Sequence, residues 1–192
     1  MPLNIRRHSL LVTEVALFLG LQLNRNSLRL DLAVVEAGAL LHDIGKMQGI
    51  RTGENHALLG AKMLSERVDP AVSRIVGEHI YLEAPLIAGP ITESLLVNYS
   101  DKRVKHDTVV SVEERYHDLI ARYSKTESHR LMLLEKLQLY IQLEAKIFSH
   151  LNIEPMGAEV MGLTIAHLAG PETEDYAAKK NDRCVACGRE VR

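Results

Sequence analysis

The chain contains no tryptophan, and aromatic residues make up only 4% of it. That is too few for a base-stacking platform or the core of an all-β sandwich. Cysteine is nearly absent. Cys184 and Cys187 both fall in the last nine residues, which excludes a disulfide framework. No apolar run nears the ~18 residues of a membrane span. The stretch Met1 to His8 lacks the apolar centre of a secretory signal. A cytoplasmic location is therefore expected. Charge of one sign is also missing: 23 Lys and Arg stand against 25 Asp and Glu, net −2. Counts of the two signs differ by at most one within each of the segments 1–90, 91–154 and 155–192. A nucleic-acid track or an anionic lipid surface calls for a basic block. Neither a membrane nor a nucleic acid is expected as a partner.

What remains is a globular composition, 192 residues with 46% hydrophobic and 25% charged, long enough to bury a sizeable core. Residues 91–154 hold neither glycine nor proline, so that stretch reads as long helix. Ser111-Val112-Glu113-Glu114 has the capping-box pattern and starts one helix. A weak interruption at Ser124 to Ser128 separates it from the next. There Leu133, Leu134, Leu137, Tyr140, Ile141, Ile147, Phe148 and Leu151 form a stripe at helical period, broken by Glu144. This stripe packs on the rest of the molecule or forms a homodimer seam.

The first 90 residues read as shorter helices: Leu10–Leu21, Asp31–Asp43, about Glu54–Val68, and one from Asp69-Pro70 to about Tyr81. Lys46 to Gly53 reads as a loop. Asp69-Pro70 is an N-cap followed by proline at the first helical position. No strand alternation and no internal repeat is visible, so the fold class is all-α. Met156 to Ala169 reads as an apolar helix, and the polar stretch after Gly170-Pro171 as loose structure.

Phasing the chemistry-bearing residues on these helices is informative. His8 falls in step with Leu11, Val12 and Val15. His56 falls with Leu59, Gly60, Met63 and Leu64. His79 falls with Val72, Ile75 and Val76, and Asp101 with Val97 and Val104. His42 and Asp43 end the apolar run Ala39-Leu40-Leu41. One inward histidine is ordinarily a satisfied core residue. Five helices each aiming a histidine or aspartate inward is different, because buried imidazoles and carboxylates cost several kcal/mol unless paired or bound to a cation. Four histidines and two aspartates suit a first-row divalent metal. Six ligands exceed what one ion needs and point to two.

His42-Asp43-Ile44-Gly45-Lys46 resembles the signature of the HD-domain (HDIG-type) metal-dependent phosphohydrolases. Arg7-His8-Ser9-Leu10 is similar to that superfamily's first-helix histidine, and Glu54-Asn55-His56-Ala57-Leu58-Leu59-Gly60-Ala61 to its third-helix motif. Glu78-His79 resembles its fourth-helix histidine, and Asn98-Tyr99-Ser100-Asp101-Lys102-Arg103 its fifth-helix aspartate. The resemblance spans roughly residues 6–106. It implies an HD helical bundle with additional long C-terminal helices: an HD domain over 1–110, a helical extension over 111–169 and a polar tail over 170–192. It also implies a first divalent metal on His8, His42, Asp43 and Asp101, and a second on His56 and His79 with Asp43 bridging. Such a six-ligand set is similar to that of dinuclear HD hydrolases of the diadenosine-tetraphosphatase type. Iron, manganese or a similar ion would serve, and a hydroxide formed on it would attack phosphorus.

Asp43 and Lys46 would then carry the chemistry. Lys46, Lys102 and Arg103 are candidates for binding the substrate phosphate, with Arg7 and Arg51 weaker ones. The substrate class is a phosphate ester or anhydride, expected to be a small nucleotide. Ile80-Tyr81-Leu82-Glu83 after His79 departs from the cyclic-di-GMP phosphodiesterase signature, and the Glu-Asp pair of guanosine tetraphosphate hydrolases is not evident. The alternative is a regulatory nucleotide-binding or protein-interaction module with little turnover. An RNA 3′-end enzyme is disfavoured by the balanced charge. Cys184-Val185-Ala186-Cys187 is half a zinc knuckle, and reads as a bare tail, a zinc site completed by a second chain, or a thiol pair.

Overall fold

The computed structural model describes residues 1–165. The fold is an all-α bundle with one two-stranded hairpin. Helix α1 spans Leu3–Arg25, longer at both ends than its apolar run suggests. Helix α2 is Leu32–Leu41, started by Asp31, whose carboxylate accepts from the backbone N–H of Ala33 and Val34. A short helix α3, Lys46–Thr52, replaces the expected loop. It escapes sequence reading because only Gly49 of its seven residues is buried, so it carries no apolar stripe. Helices α4 (His56–Leu64), α5 (Pro70–Glu78) and α6 (Ala84–Ala88) follow. Asp69 caps α5 with Pro70 in the first turn, as the sequence predicts. Helix α7 is Glu93–Lys102, capped by Thr92.

The core lies around α7. Every residue from Leu95 to Lys102 is buried, because α7 packs on α1, α2 and α5. Leu11, Val12, Val15, Leu19 and Leu23 of α1 meet Val35 and Ala39 of α2, Ile75 of α5 and Leu96 and Val97 of α7. Each such side chain contributes roughly 1.5–3 kcal/mol relative to exposure. The phased faces of α1, α5 and α7 are buried as expected. In α4 the buried face is Ala57, Gly60 and Leu64, and Met63 is turned outward.

After α7 the chain forms strands β1 (Val104–Lys105) and β2 (Thr108–Val109), paired antiparallel with Val104 opposite Val109. The turn between them places His106 at φ 57°. Two residues per strand are too few to show alternation, so the hairpin has no sequence signal. Helices α8 (Val112–Tyr123) and α9 (Glu127–Phe148) then brace α7. Ser111 accepts from the Glu114 N–H, as the capping box requires. The α9 stripe faces the core through Leu137, Tyr140, Leu143, Ile147 and Phe148. Glu144, which interrupts it, accepts hydrogen bonds from the Tyr99 hydroxyl at 2.5 Å and Arg103 at 3.2 Å. The last described helix, α10, covers only Ala158–Met161, shorter than the apolar run predicted. Cys184, Cys187 and the rest of the tail lie outside the described residues.

Candidate metal centre

Six side chains scattered over the first hundred residues meet at the ends of helices. His8 sits in the second turn of α1, and His42 and Asp43 directly follow α2. His56 opens α4, His79 directly follows α5, and Asp101 lies in the last turn of α7. Two glycines permit the approach of α4. A Cβ on Gly45 would stand 2.3 Å from the His56 carbonyl oxygen and 2.6 Å from the Gly60 nitrogen. The bare backbone of the His42–Lys46 turn therefore lets α4 carry His56 up to Asp43.

The Nε2 atoms converge on the two carboxylates. His8 Nε2 is 2.9 Å from Asp101 Oδ1. His42 Nε2 is 3.6 Å from Asp43 Oδ2 and 3.8 Å from Asp101 Oδ1. On the other side of Asp43, its Oδ1 lies 3.4 Å from His56 Nε2 and 3.8 Å from His79 Nε2, and those two nitrogens are 3.2 Å apart. The ligand atoms thus form two triads, His8–His42–Asp43 and Asp43–His56–His79, each gathered within 4.8 Å. Asp43 belongs to both.

Hydrogen bonds behind the cluster orient the rings. Nδ1 of His42 donates to the Ala39 carbonyl and Nδ1 of His79 to the Val76 carbonyl, each at 2.7 Å. Nδ1 of His8 donates to the His106 carbonyl at 3.2 Å. A carbonyl can only accept, so in His42 and His79 Nδ1 carries the proton and Nε2 keeps its lone pair, whereas His8 meets an acceptor at each ring nitrogen, the His106 carbonyl at Nδ1 and the Asp101 carboxylate at Nε2. Burial pushes the His42 imidazole below its ordinary value and the His79 imidazole down to about 3. Both are therefore unprotonated at neutral pH. Burial works to raise the Asp43 carboxyl, but His42, the bond from His56 and Lys46 outweigh it and hold it ionised. Asp101, likewise raised by burial, is held down by Lys102, His8 and His42.

A divalent cation fits this donor set. His42 Nε2 is completely buried and has no hydrogen-bond partner among the described residues. A buried lone pair without a donor is costly, and a cation between the triads would satisfy it. Imidazole tied back through Nδ1, with a shared carboxylate, is the arrangement that iron, manganese or zinc takes.

The basic residues divide. Lys46 Nζ is 2.6 Å from Asp43 Oδ2 with its side chain about one-third exposed, 36%. Lys102 is buried and ion-paired with Asp101. Arg103 is not brought to the cluster. It is fully buried, and its five N–H groups bond to the Val110 and Pro155 carbonyls, the Tyr99 hydroxyl, Glu144 and the Met161 sulfur. No donor is left for a phosphate, which corrects the sequence expectation: adjacency to Asp101 along a helix turns the next-but-one residue to another side. Arg7 is exposed and lies 3.5 Å from Asp107 at a cavity of about 330 Å³ shared with Leu3, Asn4 and His106. Arg51 is exposed on α3.

Sequence reading missed the supports. The His106 carbonyl has no side-chain signal. Asn55, which caps α4 through Ala57 and Leu58, was legible as an Asn immediately before a helix.

A helical bundle that gathers histidines and aspartates from five of its helices defines a metal-binding helical domain. The chain belongs to the HD domain family, whose sequence profile matches residues 5–174, well past the motif-bearing stretch. Members of that family are in general metal-dependent hydrolases. Over 131 residues the chain is 29% identical to an uncharacterized protein of Methanocaldococcus jannaschii, covering 64% of this chain and 76% of the relative. No solved structure matches it. Among the described residues no helix is long and apolar enough to cross a membrane.

Proposed function

We propose that the protein is a metal-dependent phosphohydrolase that cleaves a phosphate ester or anhydride of a small nucleotide, using two divalent ions. The observation that carries this reading is the pair of triads that share Asp43. In this assignment His8, His42, Asp43 and Asp101 hold one ion. His56 and His79 hold the other, with Asp43 between them. Residues 1–110 are the catalytic unit, and the described part of the extension, 111–165, is its helical brace. When bound, the ions supply Lewis acidity toward phosphate oxygens and toward water.

The chain's own residues do the rest. The backbone carbonyls of Ala39 and Val76 keep the His42 and His79 imidazoles in the ligating tautomer, and the His106 carbonyl orients the His8 ring. Lys46, tethered to Asp43 but partly exposed, turns its ammonium toward an entering phosphate and stabilises the charge that grows on it. Lys102 balances the negative charge of Asp101 from inside the core.

Protein purified without chelator or added metal should contain two iron, manganese or similar ions per chain, and should release phosphate or nucleoside phosphate from a nucleotide panel. Asp43→Ala should lose metal and turnover together. Lys46→Ala should keep its metal and lose roughly 10- to 100-fold in kcat/KM. Metal-replete protein inert on every nucleotide, dinucleoside polyphosphates included, would overturn the proposal.

A further inference from the structure

A hydrogen-bond network links α9, which lies outside the HD motifs, to the metal centre. Asn98 of α7 is 1% exposed. Its Nδ2 donates to the Glu78 carbonyl at 3.1 Å and to the Tyr81 carbonyl at 2.7 Å. These carbonyls flank His79, which caps the C-terminal end of α5. Both amide protons of Asn98 are thus spent on the backbone that carries one ligand. The orientation of that amide is fixed in turn by Tyr140 of α9, itself buried, whose hydroxyl donates to Asn98 Oδ1. With the hydroxyl removed, Asn98 Oδ1 loses its donor in this set, and the amide is held only by its two bonds to the Glu78 and Tyr81 carbonyls.

The chain of bonds continues on the far side. Tyr81, whose carbonyl Asn98 holds, accepts at its hydroxyl from Asn55 Nδ2 at 2.9 Å. Asn55 Oδ1 receives the Ala57 N–H at 2.9 Å and so starts α4 at His56. A continuous path therefore runs from α9 through Tyr140, Asn98, Tyr81 and Asn55, and the two imidazoles of one triad, His79 and His56, sit at its junctions. His8 and His42 are held by other groups, the His106 and Ala39 carbonyls.

We infer that Asn98 and Tyr140 are positioning residues for the His56–His79 half of the centre, so that α9 sets the geometry of one triad and leaves the other unaffected. This rests on the two-ion reading for its effect on metal binding, but its structural content stands without any ion. Neither residue touches the cluster; both act through the backbone at the end of α5. Supporting groups of this kind change metal affinity by roughly 10- to 100-fold.

The experiment has two arms, run on the full chain with Asn98→Asp and Tyr140→Phe. Tyr140→Phe keeps the ring against Tyr116 and serves if Asn98→Asp does not fold. In the first arm, imidazole nitrogen NMR of chelator-treated protein reads each histidine. The resonances of His79 and His56 should shift or broaden, and those of His8 and His42 should stay. In the second arm, manganese titration of the wild type should fill two sites, and the variants should fill one unchanged and the other at least 10-fold more weakly. Unmoved His79 and His56 resonances, or equal changes at all four histidines, would overturn the inference. Two affinities weakened alike would do so too. A wild type that binds a single ion would refute the two-ion reading and leave the imidazole spectra to decide the role of Asn98.

Discussion

Glu14 is a buried carboxyl in the middle of α1 that no part of the metal centre uses. Its Oε2 has no hydrogen-bond partner among the described residues, and burial pushes it up to about 7. The folded chain therefore holds a proton on Glu14 that the unfolded chain releases near 4.5. Ionising it inside the protein is unfavourable, so stability is unaffected below about pH 4.5, falls as pH rises toward 7, and levels off above that. In urea unfolding Glu14→Gln should flatten the stability profile between pH 5 and pH 8 and be the more stable form at pH 8. A wild-type slope that survives the substitution would show that another group carries it. Arg103 illustrates the opposite solution at the same scale. Its charge is buried completely but meets Glu144 and a full set of acceptors, so it joins α7 to α9 without an unpaired donor.

At the scale of elements, what matters is how closely helix ends approach. The contact of α4 with the His42–Lys46 turn depends on the missing side chain of Gly45, since a Cβ there would overlap backbone atoms of His56 and Gly60. Gly45→Ala should destabilise the fold by about 2–3 kcal/mol in urea, and should displace His56 enough to remove one of two bound ions. Gly53 is the comparison. It caps α3 at φ 76° with open space around its Cβ position. Gly53→Ala should lose only about 1 kcal/mol from left-handed backbone and keep full metal content. Equal metal loss in both variants would mean that α3, and not the α4 contact, governs the site. The caps at Asp69 and Ser111 were legible because they are local, three residues deep. Helix α3 and the hairpin were not, because both are made by what packs against them.

For the whole molecule, the centre joins five helices through six side chains, so occupancy by metal should brace the fold. A site filled at 100 times its dissociation constant adds about 2.7 kcal/mol. Two such sites in a domain of this size raise Tm by on the order of 10 °C. Manganese or iron should produce that shift in thermal unfolding, and a chelator should reverse it. An unchanged Tm across divalent metals would mean that the cluster satisfies itself with internal hydrogen bonds. The buried stripe of α9 bears on the whole molecule as well. Leu137, Tyr140, Ile147 and Phe148 of the stripe are buried in the core, while Leu133, Leu134, Ile141 and Leu151 are half-buried.

The amino-acid sequence by itself determined the helical class, the caps at Asp69 and Ser111 and the identity of the six side chains that cluster. Helical period and capping are properties of a few neighbouring residues, and the HD signature is a contiguous run. The sequence also separated Asp101 from Lys102 and Arg103 no further than one and two positions, and so could not assign them different surroundings. Tertiary structure decided that Lys102 stays with Asp101 while Arg103 leaves for Glu144. It also divided five of the clustered side chains into two triads that share Asp43 and placed Tyr140, forty-two positions away, on Asn98. These outcomes depend on the angles at which helix ends meet, and no local pattern in a chain encodes such an angle.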